Sequence, residues 1–110
     1  MRKVILESPF AGDVERNITY ARACVRDSLM RGESPLASHL LYTQEGILDD
    51  NVPEERTLGI EAGLVWADSC DAHVFYIDYG FSAGMLIALD RAQTNGEKIE
   101  RRMLYDGGLL

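Results

Sequence analysis

The sequence predicts an α/β fold: one three-layer domain with a short parallel sheet, its elements in the order β-α-β-α-β-α-β. Three observations predict it. Two continuous apolar runs, Lys3–Leu6 and Ala72–Ile77, have the composition of strands buried on both faces. Stretches of helical periodicity separate the strand candidates, and glycines or polar turns punctuate them. The chain of 110 residues has the usual length of one domain, so residues 1–110 are expected to form a single unit.

The first strand runs through Lys3–Leu6 and stops at Ser8-Pro9. Asp13 can cap the helix that follows, in which Val14, Ile18, Ala21, Val25 and Leu29 recur at helical spacing with Arg16 outward. Gly32 stands where a helix ends. Ser34–Tyr42 reads as a second strand passing into a loop, and Gln44–Pro53 is polar and turn-rich. Pro53 can open a helix, with Glu54 and Glu55 in its first turn, where the positive end of the helix dipole favours acids. That helix is expected to reach about Ala67, with Leu58, Ala62 and Val65 on one face. Its Gly59-x-x-x-Gly63 step allows another backbone to approach, either within the domain or across a dimer. A third strand follows at Ala72–Ile77, then a helix closing at Asn95-Gly96, and a last strand at Lys98–Leu104. The tail from Asp106 to Leu110 is expected to be loose, with two leucines able to dock on a neighbour.

Hydrophobic residues make up 46% and charged residues 26% of the chain, which fits a globular core and argues against disorder. The net charge is −7 and the basic residues are scattered, so binding to a nucleic-acid polymer is not expected. No run approaches the roughly 20 apolar residues of a membrane span, and the N-terminal apolar run is too short for a secretion signal. A cytoplasmic protein with no membrane partner is the expectation. Cys24 and Cys70 lie far apart without a CxxC motif and read as reduced thiols. No set of His, Cys, Asp or Glu has metal-ligand spacing, so neither a metal nor a cofactor is expected. Asp49-Asp50 reads as a solvated turn that joins Glu54 and Glu55 in an acidic edge.

In parallel sheets, ligands bind beyond the carboxyl ends of the strands. Three loops occupy such positions: Glu7–Gly12, Ser38–Thr43 and Asp78–Gly84. In the third, Gly80 and Gly84 permit close backbone approach, and Ser82 offers a hydroxyl and an N–H near a helix start, which suits a phosphate, a carboxylate or a ribose hydroxyl. In the first, Ser8 and Pro9 set the chain's course and Phe10 can either stack on a base or fill the core. In the second, Ser38 and His39 close the strand, and His39 is the more site-like of the two histidines, because His73 opens a strand. The expected ligand-binding residues are therefore Ser8, Pro9, Phe10, Ser38, His39, Asp78, Gly80, Ser82 and Gly84, with no catalytic residue assigned.

At these loops the chain resembles the nucleoside 2-deoxyribosyltransferase-like family, and within it a small, mostly phage-encoded branch of unassigned function. The resemblance covers nearly the whole chain: a first strand ending in Ser8-Pro9-Phe10, a strand ending near Ser38, the strand-Asp-x-Gly-helix element at Asp78–Gly84, and a trailing helix ending at Gly96. The resemblance implies a glutamate nucleophile on the helix after the third loop, an aspartate before it that orients the reacting group, and an aromatic from the first loop. Asp78 matches the aspartate. The glutamate has no match, because its place falls on Gly84 or on Leu86 according to the alignment chosen; Asp90 lies about two turns into the helix, and Glu7 would substitute only by pointing into the site.

A pocket without its nucleophile implies binding without turnover. The expected function is sequestration of a nucleotide-derived small molecule, such as a cyclic oligonucleotide or an ADP-ribose-type signal, by a homo-oligomer serving a phage against host defence. The alternatives are an N-glycosidase or deoxyribosyltransferase acting on a nucleoside or nucleotide, and a protein-interaction module.

Overall fold

The computed structural model describes residues 1–105. Four parallel strands, β1 (Arg2–Glu7), β2 (Glu33–Leu36), β3 (Ala72–Tyr76) and β4 (Ile99–Arg102), form one sheet in the order β2-β1-β3-β4. Helix α1 (Val14–Met30) joins β1 to β2, α2 (Ser38–Leu41) and α3 (Pro53–Ala67) join β2 to β3, and α4 (Ala83–Thr94) joins β3 to β4. The α/β layering and parallel sheet are as the sequence predicts. The tail Asp106–Leu110, terminal leucines included, lies outside the described residues.

The central strands are sealed on both sides. Val4, Ile5, Leu6, Val74, Phe75 and Tyr76 are fully buried, and each large aliphatic side chain so buried stabilises the fold by about 1.5–3 kcal/mol. One side of the sheet packs Val4, Leu6, Val74 and Tyr76 against Tyr20 and Cys24 of α1. The other packs Phe75 against Leu64 of α3 and Met85 and Ala88 of α4.

Asp13 caps α1 by accepting the N–H of Arg16 at 3.2 Å. Gly32 follows α1 with φ +83°, a left-handed turn that glycine adopts without a Cβ clash. Pro53 opens α3 with Glu54 and Glu55 in its first turn, and Ser82 caps α4, its Oγ accepting the Met85 N–H at 3.2 Å.

Several expectations are corrected. The segment after β2 is a helical turn, α2, because the amides of Leu40 and Leu41 both donate to the Ala37 carbonyl. The fourth strand is shorter than Lys98–Leu104. The buried face of α1 is Asn17, Tyr20, Ala21, Cys24 and Ser28, while Val14 and Leu29 are exposed. Helix α3 buries Gly63, Leu64 and Ala67 and leaves Leu58 and Val65 outward. Polar side chains with partners in the interior set the inward face of α1, a signal that apolar spacing omits. The glycine step of α3 is used within the chain: a Cβ at Gly63 would lie 2.2 Å from Ser38 Oγ, and one at Gly59 3.2 Å from Leu48.

A charged layer closes the α1 side. The buried Arg102 guanidinium forks onto Glu33, with both N–O distances 2.7 Å. Glu33 also accepts from Ser28 at 2.8 Å and pairs with Arg2, and Glu100 bridges Arg2 and Arg102. Buried ions persist in such a geometry because nearly every lone pair and proton is matched. No helix among the described residues is long and apolar enough to cross a membrane.

Candidate functional site

A cavity of about 330 Å³ opens at the carboxyl end of the sheet, between the loop after β1, α2, α3 and the start of α4. It is large enough for a nucleoside-sized ligand. Phe10, Leu48, Ile60, Leu64 and Met85 give it an apolar interior, and Ser8, His39, Thr43, Arg56 and Ser82 bring polar groups to it.

The strands and caps described above position these groups. Buried Asn17 on α1 fixes the first loop, its Nδ2 donating to the Phe10 carbonyl at 2.9 Å and the Ala11 carbonyl at 3.1 Å. That places Phe10 in the wall rather than the core. Ser8 is buried, and its Oγ lies 2.7 Å from His39 Nε2. His39 Nδ1 is buried with no partner among the described residues. Burial lowers the His39 pKa against the opposing pull of Glu7, so the ring stays neutral at neutral pH. Thr43 steadies α2 by donating to the His39 carbonyl at 2.6 Å. Trp66 on α3 donates its indole N–H to the Tyr42 hydroxyl at 3.1 Å, tying α3 to the chain after α2.

Of the residues expected from sequence, Ser8, Phe10, Ser38, His39, Ser82 and Gly84 converge on this cavity. Pro9 is buried beside it without forming its wall. Asp78 and Gly80 do not line it. The Asp78 carboxylate turns to the α1 side, where Oδ2 accepts the Tyr20 hydroxyl at 2.5 Å and the Leu104 N–H at 2.9 Å, and Oδ1 accepts the Tyr105 N–H at 2.9 Å. Those bonds occupy both carboxylate oxygens, so Asp78 is an anchor for the segment after β4. The Asp49–Glu55 edge forms turn bonds, with Asp49 N–H donating to Glu55 at 3.0 Å, and Asp50 and Glu55 line the rim of the cavity. No cluster of three metal-ligating side chains occurs among the described residues.

Glu7 corrects the sequence reading most. It is the last residue of β1, it lines the cavity, and its Oε2 lies 2.9 Å from Nε2 of buried His73. Strand alternation places Glu7 on the same face as Ile5, opposite Phe75 in the sheet register. That alternation was the sequence signal for its inward aim. Arg56 is the other polar wall residue that sequence reasoning passed over. Its Nη2 lies 3.7 Å from where a Cβ on Gly84 would stand, at the first turn of α4.

The fold and cavity define an α/β domain with a parallel sheet and a pocket at the carboxyl ends of its strands. Residues 2–102 match the model of a family described as a domain of unknown function, DUF7768, and the chain belongs to that family. Among solved structures, it is similar to a 2-deoxyribosyltransferase from the psychrotolerant bacterium Bacillus psychrosaccharolyticus. The TM-score is 0.62 and the sequence identity 19%, over 92% of this chain and 72% of that one. At this identity the likeness establishes the fold. Comparison with curated proteins finds no match.

Proposed function

We propose that the cavity binds a nucleoside or nucleotide and that Glu7 acts on its N-glycosidic bond. The observation that carries this reading is a carboxylate in the cavity wall, held by a buried histidine, in a fold shared with a deoxyribosyltransferase. Ser8, Phe10, Ser38, His39, Ser82 and Gly84 are the proposed binding residues. Phe10 offers a stacking face for a base, while Ser82 and the start of α4 suit a hydroxyl or phosphate.

In the proposed reaction, a carboxylate oxygen of Glu7 bonds to the anomeric carbon as the carbon–nitrogen bond breaks. The bonding electron pair leaves with the base, which takes up a proton from solvent. Water, or a second base, then displaces Glu7 from the anomeric carbon and releases a proton. The carboxylate is regenerated and the net change is hydrolysis or base exchange.

A second reading is sequestration without turnover. It is favoured by Gly84 at the start of α4, which carries no carboxylate and whose nearest side-chain neighbour is Arg56 Nη2. One experiment separates the two. The protein is incubated with nucleosides, 2′-deoxynucleosides, their 5′-monophosphates, cyclic dinucleotides and ADP-ribose, and the products are resolved by chromatography before and after heat denaturation. Release of free base, reduced at least ~100-fold by Glu7→Gln, supports glycosidic chemistry. A compound depleted from solution and recovered intact on heating supports sequestration and ends the reading of Glu7 as nucleophile.

A further inference from the structure

Glu7, His73 and Glu97 form a column that leads from the cavity wall to the amino-terminal end of β4. His73 is the second residue of β3 and is 1% exposed. Its Nε2 faces Glu7 Oε2 at 2.9 Å, and its Nδ1 faces Glu97 Oε1 at 3.0 Å. The Phe75 ring stacks on the imidazole, with centroids 4.8 Å apart and planes 15° apart, and so fixes its tilt. The side chains of Glu7 and Glu97 are 12% and 15% exposed. Glu7 Oε1 has no hydrogen-bond partner among the described residues, so one carboxylate oxygen is held and the other is left for the cavity.

We infer that His73 is a positioning residue, clamped by Glu97, which fixes the Glu7 carboxylate in the cavity wall with one oxygen bound and one presented to the ligand. The inference rests on the reading of Glu7 given above. Packing alone would be served by an apolar side chain at position 73. A ring with both nitrogens facing carboxylates satisfies both only when it donates from both. Burial by itself lowers the His73 pKa, but the hydrogen bonds and charges of Glu7 and then Glu97 outweigh it, and the net direction is upward. Those two carboxylates are the charged groups that face the ring, one from β1 and one from the turn before β4. Glu97 thereby offsets the cost of burying an imidazolium, and the imidazolium orients Glu7. Outer partners of this kind change the performance of the group they hold by about 10–100-fold at metal sites, and a carboxylate in a cavity wall depends on the same restriction of rotamers.

The test pairs steady-state kinetics with NMR of the histidine rings in the full chain. Base release from 2′-deoxyadenosine and 2′-deoxyuridine and from their 5′-monophosphates is measured for the wild type, His73→Gln and Glu97→Gln. The expected result is a kcat lower by about 10–100-fold in both variants, with KM within about twofold. NMR is expected to show His73 doubly protonated at pH 7 and its midpoint lowered by Glu97→Gln. Should His73→Gln fail to fold, Glu97→Gln, at a partly exposed position, carries the test. If wild type releases base and both variants keep its kcat, the clamp is overturned while the reading of Glu7 stands. If no compound yields base, the reading of Glu7 as nucleophile falls, and NMR decides the clamp: a ring already neutral at pH 7, or one indifferent to Glu97→Gln, overturns it.

Discussion

The Tyr20 hydroxyl and the Asp78 carboxylate lie 2.5 Å apart, and the Asp78 N–H returns a bond to the same hydroxyl at 3.0 Å. This exchange links α1 to the end of β3, and Asp78 extends it to Leu104 and Tyr105. Tyr20→Phe is therefore expected to destabilise the fold by about 1–3 kcal/mol, because a half-buried carboxylate and an amide each lose a partner. Asp78→Asn is expected to act in the same direction. Urea unfolding measures both. Ligand binding or base release retained in folded Asp78→Asn would agree with its place outside the cavity, whereas a lost site on an unchanged unfolding curve would return Asp78 to the chemistry.

Acid should weaken the molecule through the layer at Arg102. Its hydrogen bonds hold Glu33 down to about 2, with Arg2 and Ser28 assisting against burial, and Arg2 and then Arg102 hold Glu100 at about 2. Both folded-state values are depressed below the ordinary 4.5. Their stabilisation is thus complete above about pH 4.5 and is lost as pH falls towards 2. For Glu33, the more buried of the two, it amounts to about 3 kcal/mol. Glu33→Gln should lose about 1.5–3 kcal/mol at pH 7, since Arg102 keeps Glu100 at 2.9 Å but loses the carboxylate it forks onto, and should flatten the acid limb of the unfolding midpoint. An acid limb as steep as wild type would point to other carboxylates.

The two histidines should titrate in opposite directions from the ordinary value near 6.5. Burial lowers His39, so its neutral form favours folding above about pH 6.5, and that contribution fades as pH falls towards the folded-state value. His73 is raised, so its contribution is full below about 6.5 and fades as pH rises through the folded-state value. With two histidines in the chain, ring-proton NMR resolves both curves. Coincident midpoints would contradict the burial of one and the clasp of the other.

Glycines 63 and 84 should respond differently to alanine. A Cβ at Gly63 meets Ser38 Oγ at 2.2 Å, so Gly63→Ala should cost about 2–3 kcal/mol and deform the cavity where α2 borders it. At Gly84 the nearest atom is Arg56 Nη2 at 3.7 Å, an ordinary contact. Gly84→Ala should be tolerated and gain up to about 0.5 kcal/mol from reduced chain entropy in the unfolded state. Thermal melts of the two proteins test the contrast.

Alkylation should distinguish the thiols. Burial drives the Cys24 pKa up to about 12, while Cys70 is part-exposed and raised less far, by burial first. Iodoacetamide at pH 8 should label Cys70 before Cys24, as read by peptide mass spectrometry. Equal labelling of the native protein would mean that α1 opens readily.

The layers follow from the order and apolarity of the segments. Four residues at Lys3–Leu6 and six at Ala72–Ile77 are too apolar for an exposed strand, and the glycines at 32 and 96 end the helices that must cross over them. Element order alone also puts Ser8, Ser38 and Ser82 at the carboxyl ends of strands or at a helix start. Which polar groups meet is a property of the folded chain. Asp78 sits on a loop at the correct end, yet Tyr20 and two backbone amides draw its carboxylate to the opposite side of the sheet. Glu7 looks in sequence like a strand end, yet buried His73, 66 positions away, holds it in the cavity wall. The inward face of α1 was decided in the same way, by Asn17 reaching the Phe10 carbonyl and Tyr20 reaching Asp78. The physical reason is common to all three. Burial of apolar side chains is non-directional and can be read from spacing, whereas a buried polar group must find a partner within about 3 Å, and chain distance does not say where that partner lies.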